Sequence, residues 1–171
     1  MQKGLFISVE GGEGVGKSSF LFELEQQFRR QHRSFIKTHE PGGTPAADKL
    51  RQFFFVLPAE DALHPMTEFC VVSAARAQHV ATVIKPALER GDWVVSDRFA
   101  DSSRVYQGMM AGLPEASVEA LIAITTFGIV PNLTFLLDCD EKISMARLQT
   151  RQSGRNHGQN DSGNRFDQKQ R

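Results

Sequence analysis

The feature that most constrains the fold is a glycine-rich turn that separates a short apolar run from a helical pattern. The apolar run is Leu5–Val9, and the fixed positions of the turn are Gly11, Gly16, Lys17 and Ser18. Glycine adopts positive φ at little cost, so consecutive backbone N–H groups of such a turn can surround phosphate oxygens, while the lysine reaches phosphate and the hydroxyl reaches Mg²⁺. A glycine-rich hairpin with a surface lysine is the alternative, but the helical pattern at about Ser19–Arg30 favours a phosphate-binding loop.

Composition limits the class of protein but does not identify any reaction that it catalyses. The 171 residues, 40% of them hydrophobic, are enough for one globular domain with a core. The 20 basic and 20 acidic residues cancel, so we expect no nucleic-acid partner and no membrane attraction through overall charge. The two cysteines lack metal-ligand spacing, and no apolar run is long enough for a signal peptide or a membrane span. These features predict a cytoplasmic protein.

Apolar strand patterns alternate with helical patterns along the chain. This alternation predicts an α/β protein with the three-layer fold of P-loop NTPases, a parallel sheet covered by helices on both faces. The predicted strands are Leu5–Val9, Ser34–Thr38, Trp93–Ser96 and Leu133–Leu137. All except the second are apolar enough to be buried on both faces. The helices predicted after the first are Ala46–Phe55, Thr67–Arg90, Glu115–Phe127 and Glu141–Thr150. Pro86 is expected to kink or split the long one.

The last stretch of the sequence, 151–171, differs from the rest. Its one large apolar side chain is Phe166, and five basic residues stand against two acidic ones. Such a composition predicts a flexible basic segment, so we expect a core over 1–150 and a separate segment over 151–171. A solvated tail and a lid that folds over phosphates are both compatible with this composition.

Polar motifs follow two of the predicted strands, at the edge where parallel sheets bind ligands. The second strand is followed by Glu40–Thr44 and the third by Asp97–Phe99. Asp97 can hold water on Mg²⁺, and the guanidinium of Arg98 can bind phosphate through two hydrogen bonds. In isolation this Asp-Arg pair would be a surface ion pair or a helix cap, but its place in a P-loop protein favours binding. Arg76, flanked by alanines on its helix, suits either close approach to a ligand or a solvated face.

Together these motifs resemble the bacterial thymidylate (dTMP) kinases, a family of P-loop nucleoside monophosphate kinases, over about Gly4–Leu148. The motifs that carry the resemblance are Glu10–Ser18, Glu40–Thr44, Leu50-Arg51, Ala74–Arg76, Asp97–Phe99 and Ala100–Gly108. The second and the fifth are far more specific than the phosphate-binding loop, which many unrelated NTPases share. The resemblance implies transfer of the ATP γ-phosphoryl group to dTMP, giving dTDP and ADP, with Mg²⁺ and without a covalent intermediate.

The family's roles carry over to the matching residues. The resemblance implies that ATP is bound by Gly11, Gly12, Glu13, Gly14, Val15, Gly16, Lys17, Ser18 and Ser19. It implies a Mg²⁺ site at Ser18 and Asp97. It implies that dTMP is bound by Glu13, Glu40, Pro41, Arg51, Phe69, Val72, Arg76, Arg98, Ser102, Ser103, Tyr106 and Gln107. The implied catalytic residues are Lys17, Asp97, Arg98, Arg151 and Arg155.

Two of these implied roles have particular consequences. Tyr106 would stand where a 2′-hydroxyl would have to go, which favours deoxyribose, although a tyrosine that simply packs is an equal alternative. The phosphate-binding loop contains no arginine, whereas Arg147, Arg151 and Arg155 follow the fourth strand, as in family members whose catalytic arginines lie in a closing lid. Which of them reaches the transferring phosphoryl group stays open.

Two departures from the family pattern complete the expectations. Val72 stands where the family usually has an aromatic residue that stacks on thymine, so nucleotide binding should be weaker unless another ring, such as Phe69 or Phe99, compensates. The family continues with a further strand and helices, so the sequence is either truncated or functional without them. Without them the fourth strand would be an open edge, which predicts self-association, a homodimer among the outcomes, and little activity. A P-loop kinase of another small phosphorylated acceptor and an inactive nucleotide-binding fragment are the alternatives.

Overall fold

The computed structural model describes residues 4–57 and 62–154. Its strands are β1 (Phe6–Glu10), β2 (Phe35–His39), β3 (Trp93–Asp97) and β4 (Leu133–Leu136). They pair in parallel, in the order β2–β3–β1–β4. The four strand predictions are therefore confirmed to within one residue at each end. The carboxyl ends of β1, β2 and β3 come together at one edge, because Val9 and His39 both pair with Asp97.

Helices connect the strands. They are α1 (Lys17–Arg30), α2 (Pro45–Val56), α3 (Pro65–His79), α4 (Lys85–Arg90), α5 (Ala100–Ser103), α6 (Glu115–Thr126) and α7 (Glu141–Gly154). The long helix predicted over Thr67–Arg90 is interrupted by a π-helical turn, Val80–Ile84, which ends two residues before Pro86. A proline inside a helix removes a hydrogen bond and displaces the carbonyl one turn earlier, and a π turn accommodates this. The expected effect of Pro86 is confirmed as an interruption of the α-helical pattern.

A second π-helical segment, Arg104–Met110, continues α5 and has no counterpart among the predicted elements. It carries Tyr106 and Gln107, two of the residues with an implied role in nucleotide binding. Gln107 is buried, and its side-chain amide donates to Glu68 of α3 at 3.1 Å. The segment is therefore anchored to α3 as well as to the end of β3.

The core lies on both faces of the sheet. On one face, β1 and β3 pack against α3, α4 and α6 in a cluster that includes Phe6, Phe69, Ala87, Val94 and Ile122. On the other face, the same strands pack against α1 through Ile7, Val9, Leu21, Phe28 and Val95. The predicted three-layer arrangement is thus observed, with β1 and β3 at its centre.

The burial that apolar composition predicts for the fourth strand is wrong, whereas the expectation that this strand forms an open edge is confirmed among the described residues. Among the described residues β4 pairs with β1 alone, so it is an edge strand. Leu133 is 48% exposed and Leu136 is 75% exposed. An apolar composition does not distinguish an edge strand from a central one, because the neighbours that decide burial are distant in sequence.

The boundary predicted at residue 150 falls within a helix. Helix α7 runs on to Gly154, and the rest of the predicted basic segment, 155–171, lies outside the described residues. In the part of the chain that the structure describes, no helix is both long and apolar enough to cross a bilayer.

Candidate active site

The loop between β1 and α1 has the geometry of a phosphate-binding loop. Gly11, Gly14 and Gly16 have φ values of 137°, 74° and 107°, which side chains disfavour. A Cβ at Gly14 would also lie 2.5 Å from the carbonyl oxygen of Ser144 in α7. The Lys17 ammonium donates to the carbonyls of Gly11 and Gly12 at 2.8 and 2.7 Å. The loop thus presents a cation beside the N-terminus of α1, whose dipole favours an anion.

The residues with an implied Mg²⁺ role share one cavity. Ser18 and Asp97 line a space of about 420 Å³ together with residues of α1 and the end of β2. The Oδ1 atom of Asp97 is buried and has no hydrogen-bond partner among the described residues. A carboxylate oxygen and a hydroxyl are ligands that Mg²⁺ accepts, usually together with water and phosphate oxygens. The donor set therefore fits Mg²⁺, and the orphaned oxygen is a reason for a cation to bind there.

His39, for which the sequence predicts no role, also lines this cavity. Its Nε2 atom lies 3.4 Å from Asp48. Burial lowers the pKa of His39 below its ordinary value, and the charge of Arg51 lowers it further, against the opposing effect of Asp48. Arg51, one of the residues implied to bind dTMP, is thus close enough to this edge of the sheet to influence its electrostatics.

Arg98 follows β3 in an unusual backbone conformation. Its φ is 70°, in the left-handed region that non-glycine residues rarely adopt. Its N–H donates to Val9 at 3.0 Å, and its carbonyl accepts from the Ser96 hydroxyl at 2.7 Å. The guanidinium donates to the Ser102 hydroxyl at 3.2 Å and lies 5.4 Å from the centre of the Tyr106 ring. Strained backbone held by several bonds is a common property of functional sites.

Glu10 is a buried carboxylate for which the sequence predicts no individual role. It ends β1 and is 5% exposed. Its two oxygens accept from the backbone N–H of Phe99 and from the Ser102 hydroxyl, each at 2.7 Å. Burial raises the pKa of Glu10, while both hydrogen bonds and the charge of Arg98 act in the opposite direction. The available signal was a carboxylate at the end of an apolar strand, directly before the phosphate-binding loop.

Arg76 is one of the most buried side chains of the protein. It is 2% exposed, so the alternative of a solvated helix face is excluded. Its Nε atom donates to Glu40 at 2.8 Å and its Nη2 atom donates to Ser103 at 2.9 Å. Its Nη1 atom is buried and has no partner among the described residues. A buried donor without a partner is costly, and a polar ligand atom would satisfy it.

His79 completes this buried network and had been assigned no role from sequence. The ring is fully buried, with Nδ1 3.1 Å from Glu40 Oε1 and Nε2 2.6 Å from the Thr38 hydroxyl. The position of this ring also explains why a residue in the turn after β2 must be glycine. Gly43 has a φ of 86°, and a Cβ there would lie 2.6 Å from His79 Nε2. The Glu40-Pro41 peptide, which begins the turn, is cis.

The aromatic residues near the predicted base site lie in the core. Phe69 is fully buried, and Phe99 packs edge-to-face on Phe6 with ring centres 4.8 Å apart. Val72 lies on α3, as Phe69 does, and is 5% exposed. That one of the two phenylalanines replaces the missing stacking residue stays a prediction.

The arginines of the predicted lid are described only in part. Arg147 in α7 reaches the phosphate-binding loop, where Nη1 donates to the Gly14 carbonyl at 3.0 Å. Arg151 lies on α7, but the position of its side chain is not among the described features, and Arg155 lies outside the described residues. The catalytic roles implied for these two residues stay predictions.

The sheet and its edge define the class of the protein. A parallel sheet whose first strand leads through a phosphate-binding loop into a helix is the fold of P-loop NTPases. The family model for thymidylate kinase matches residues 9–170.

Individual relatives agree with that match. The chain is 43% identical over 151 residues to a thymidylate kinase of Deinococcus radiodurans, covering 88% of this chain and 72% of that protein. It is 42% identical over 150 residues to a thymidylate kinase of Marinomonas sp., covering 88% and 70%. The crystal structure of thymidylate kinase from Ehrlichia chaffeensis superposes with a TM-score of 0.70 at 28% identity, covering 89% of this chain and 86% of that one. The chain belongs to the thymidylate kinase family, which confirms the resemblance found in its sequence.

Proposed function

We propose that this protein transfers the γ-phosphoryl group of ATP to dTMP, giving dTDP and ADP. The observation that carries the proposal is that three features of the family meet at one edge of the sheet. These are the phosphate-binding loop, the Asp97-Arg98 pair and the buried Arg76–Glu40 pair. Family membership favours this reaction over another phosphorylated acceptor and over an inactive fragment.

The loop would bind the phosphates of ATP. The backbone N–H groups of Gly11–Ser18 would surround the phosphates, and the Lys17 ammonium would exchange its present carbonyl partners for phosphate oxygens. Ser18 and Asp97 would hold Mg²⁺. When bound, the ion neutralises charge on the phosphate oxygens as the phosphoryl group transfers.

Arg98 and Arg76 would bind the two ends of dTMP. The planar guanidinium of Arg98 suits the 5′-phosphate, which must lie in line with the γ-phosphoryl group of ATP. Arg76 would donate its unpartnered Nη1–H to an acceptor atom of thymine, since Glu40 and Ser103 hold the rest of its guanidinium. Positioning and charge neutralisation then account for the chemistry, because phosphoryl transfer needs no covalent participation of the protein.

The arginines on and after α7 would reach the site after both substrates have bound. Arg147 already contacts the loop, and we propose that Arg151 or Arg155 reaches the transferring phosphoryl group when both substrates are bound. We further propose a cytoplasmic location, in keeping with the expectation from composition. A homodimer stays a prediction.

ADP release in a coupled assay tests the proposal. We expect release that depends on ATP, Mg²⁺ and dTMP, with dUMP a poorer acceptor and dGMP an inactive one. Removal of Mg²⁺ with a chelator should stop the reaction, and re-addition should restore it. Equal rates with dTMP and dGMP would contradict thymidylate specificity, and ADP release independent of any acceptor would contradict the transferase function.

A further inference from the structure

Glu10 connects the strand before the ATP loop to the residues after β3. It lies next to Gly11 in sequence, yet its carboxylate oxygens bond to Phe99 and Ser102 across the sheet. Both bonds are 2.7 Å long, and the side chain is almost completely buried. A buried carboxylate with two short hydrogen bonds has a fixed position.

The hydrogen bond from Ser102 to Glu10 determines how the serine hydroxyl can bond to Arg98. A hydroxyl has one hydrogen, and Ser102 donates it to Glu10. Its oxygen can then only accept, and it accepts from Nη1 of Arg98 at 3.2 Å. A guanidinium can only donate, so this bond needs a serine oxygen whose own hydrogen points elsewhere. Glu10 therefore holds the Ser102 hydroxyl in the orientation that accepts from Arg98, although it does not itself bond to the guanidinium.

The other contacts of Arg98 leave its guanidinium dependent on that bond. The backbone is held by Val9 and Ser96, in a conformation with φ of 70°. The aromatic face of Tyr106 restrains the guanidinium from one side, at 5.4 Å. The hydroxyl oxygen of Ser102 accepts from one of the five N–H donors of the Arg98 guanidinium, and this bond fixes the rotation of the guanidinium.

We infer that Glu10 is a positioning residue of the acceptor site: through Ser102 it orients the Arg98 guanidinium for the phosphate of dTMP. This inference rests on the proposed function. A purely structural role for Glu10 would affect ATP and dTMP alike, whereas a positioning role affects dTMP alone. The inference also gives a physical link between the donor loop and the acceptor arginine, since Glu10 and Gly11 are adjacent.

The test is the affinity of the full chain for each nucleotide, measured by calorimetry. Glu10→Gln keeps the size of the side chain and an oxygen for Phe99, but its NH₂ group cannot accept the Ser102 proton. We expect Kd for dTMP to rise about tenfold, the effect of misplacing one hydrogen bond to a charged group. Kd for ATP should stay within about twofold of the wild type, because the loop amides and Lys17 are unchanged.

Ser8→Ala is the matched control. Ser8 is fully buried on the same strand, and its hydroxyl shares a hydrogen bond of similar length, 2.8 Å, with Thr134. The variant therefore loses one buried hydrogen bond that is not part of the acceptor site. Its affinity for dTMP should equal that of the wild type. Ser102→Ala, alone and combined with Glu10→Gln, tests the route. If Glu10 acts through Ser102, the double variant binds dTMP no more weakly than the weaker single variant.

The outcomes separate this inference from the proposed function. A wild-type chain that does not bind dTMP contradicts the proposed function. If the wild type binds dTMP and Glu10→Gln binds it equally well, only the positioning role is wrong. A parallel loss of ATP and dTMP affinity, or additive losses in the double variant, would likewise overturn it. A selective, non-additive loss supports it.

Discussion

The contribution of the buried Arg76–Glu40 ion pair to the stability of the protein can be measured directly. The side chains of this pair are 1% and 2% exposed. Removing one partner of a buried ion pair costs about 3–5 kcal/mol, because the remaining charge stays desolvated. His79, 3.1 Å from Glu40, offers a second partner, so we expect the lower end for Arg76→Met, about 3 kcal/mol.

A surface pair of the same chemistry is the control. Arg104 and Glu119 form two hydrogen bonds, at 2.6 and 2.7 Å, but their side chains are 42% and 44% exposed. Such pairs contribute about 0.2–1 kcal/mol, so Arg104→Met should cost far less than Arg76→Met. Urea denaturation measures both. With a slope of about 2 kcal/mol per M, the midpoint should shift by about 1.5 M for Arg76→Met and by about 0.5 M or less for Arg104→Met.

A double variant checks that the unpaired carboxylate is the cause. Glu40→Gln combined with Arg76→Met removes the buried charge that the single variant leaves behind, so part of the lost stability should return. Equal midpoint shifts for Arg76→Met and Arg104→Met would refute the reasoning. A double variant that loses the full sum of the single effects would refute it too.

Three further predictions concern the site. Lys17→Met should abolish phosphoryl transfer with the fold intact, whereas Lys85→Met, at an exposed position of α4, should leave the rate unchanged; circular dichroism and ADP release check both. Arg98→Lys should raise KM for dTMP far more than KM for ATP, since an ammonium cannot make two parallel bonds to phosphate; equal changes would exclude this role. Burial raises the pKa of Glu10 in the folded protein above its ordinary value of 4.5, so the folded protein binds this proton more tightly than the unfolded chain does. This difference stabilises the folded protein at low pH. The stability of the wild type relative to Glu10→Gln should therefore fall as pH rises from about 4.5 through the raised pKa, and a pH-independent difference in urea denaturation would contradict it.

The parts of the site that were predictable from sequence are those encoded locally. Gly11–Ser18 specifies its own conformation, because positive φ requires glycine, and the four strands are visible as short apolar runs. The roles of Glu10 and His79 were missed because their partners are distant in sequence. Phe99 lies 89 residues from Glu10, and Thr38 lies 41 residues from His79. The position of Glu10 before the phosphate-binding loop marks it as a candidate, but the sequence near either residue does not indicate which distant group it contacts.

Burial of β4 was mispredicted for a related reason. The composition of the strand is that of a central strand, but its position in the sheet depends on which strands pair with it. Pro86 predicted an interruption near Val80–Ile84, but the π-helical form of both segments was not predictable, because one additional residue in a turn hardly alters helical periodicity over a short window.

The π-helical segment Arg104–Met110 has a consequence for how this part of the protein can change in evolution. A π turn holds one more residue than an α turn, so deleting a single residue here would restore a regular helix. Because the π turn absorbs the extra residue, the residues that follow it keep the angular positions of a regular helix, in which each residue advances by about 100°. Gln107 can therefore face Glu68, and Gly108 can face Val118 of α6, with the extra residue in place. We therefore expect a single-residue deletion to be tolerated better in this segment than in a regular helix such as α3, where it would rotate everything beyond it by about 100°.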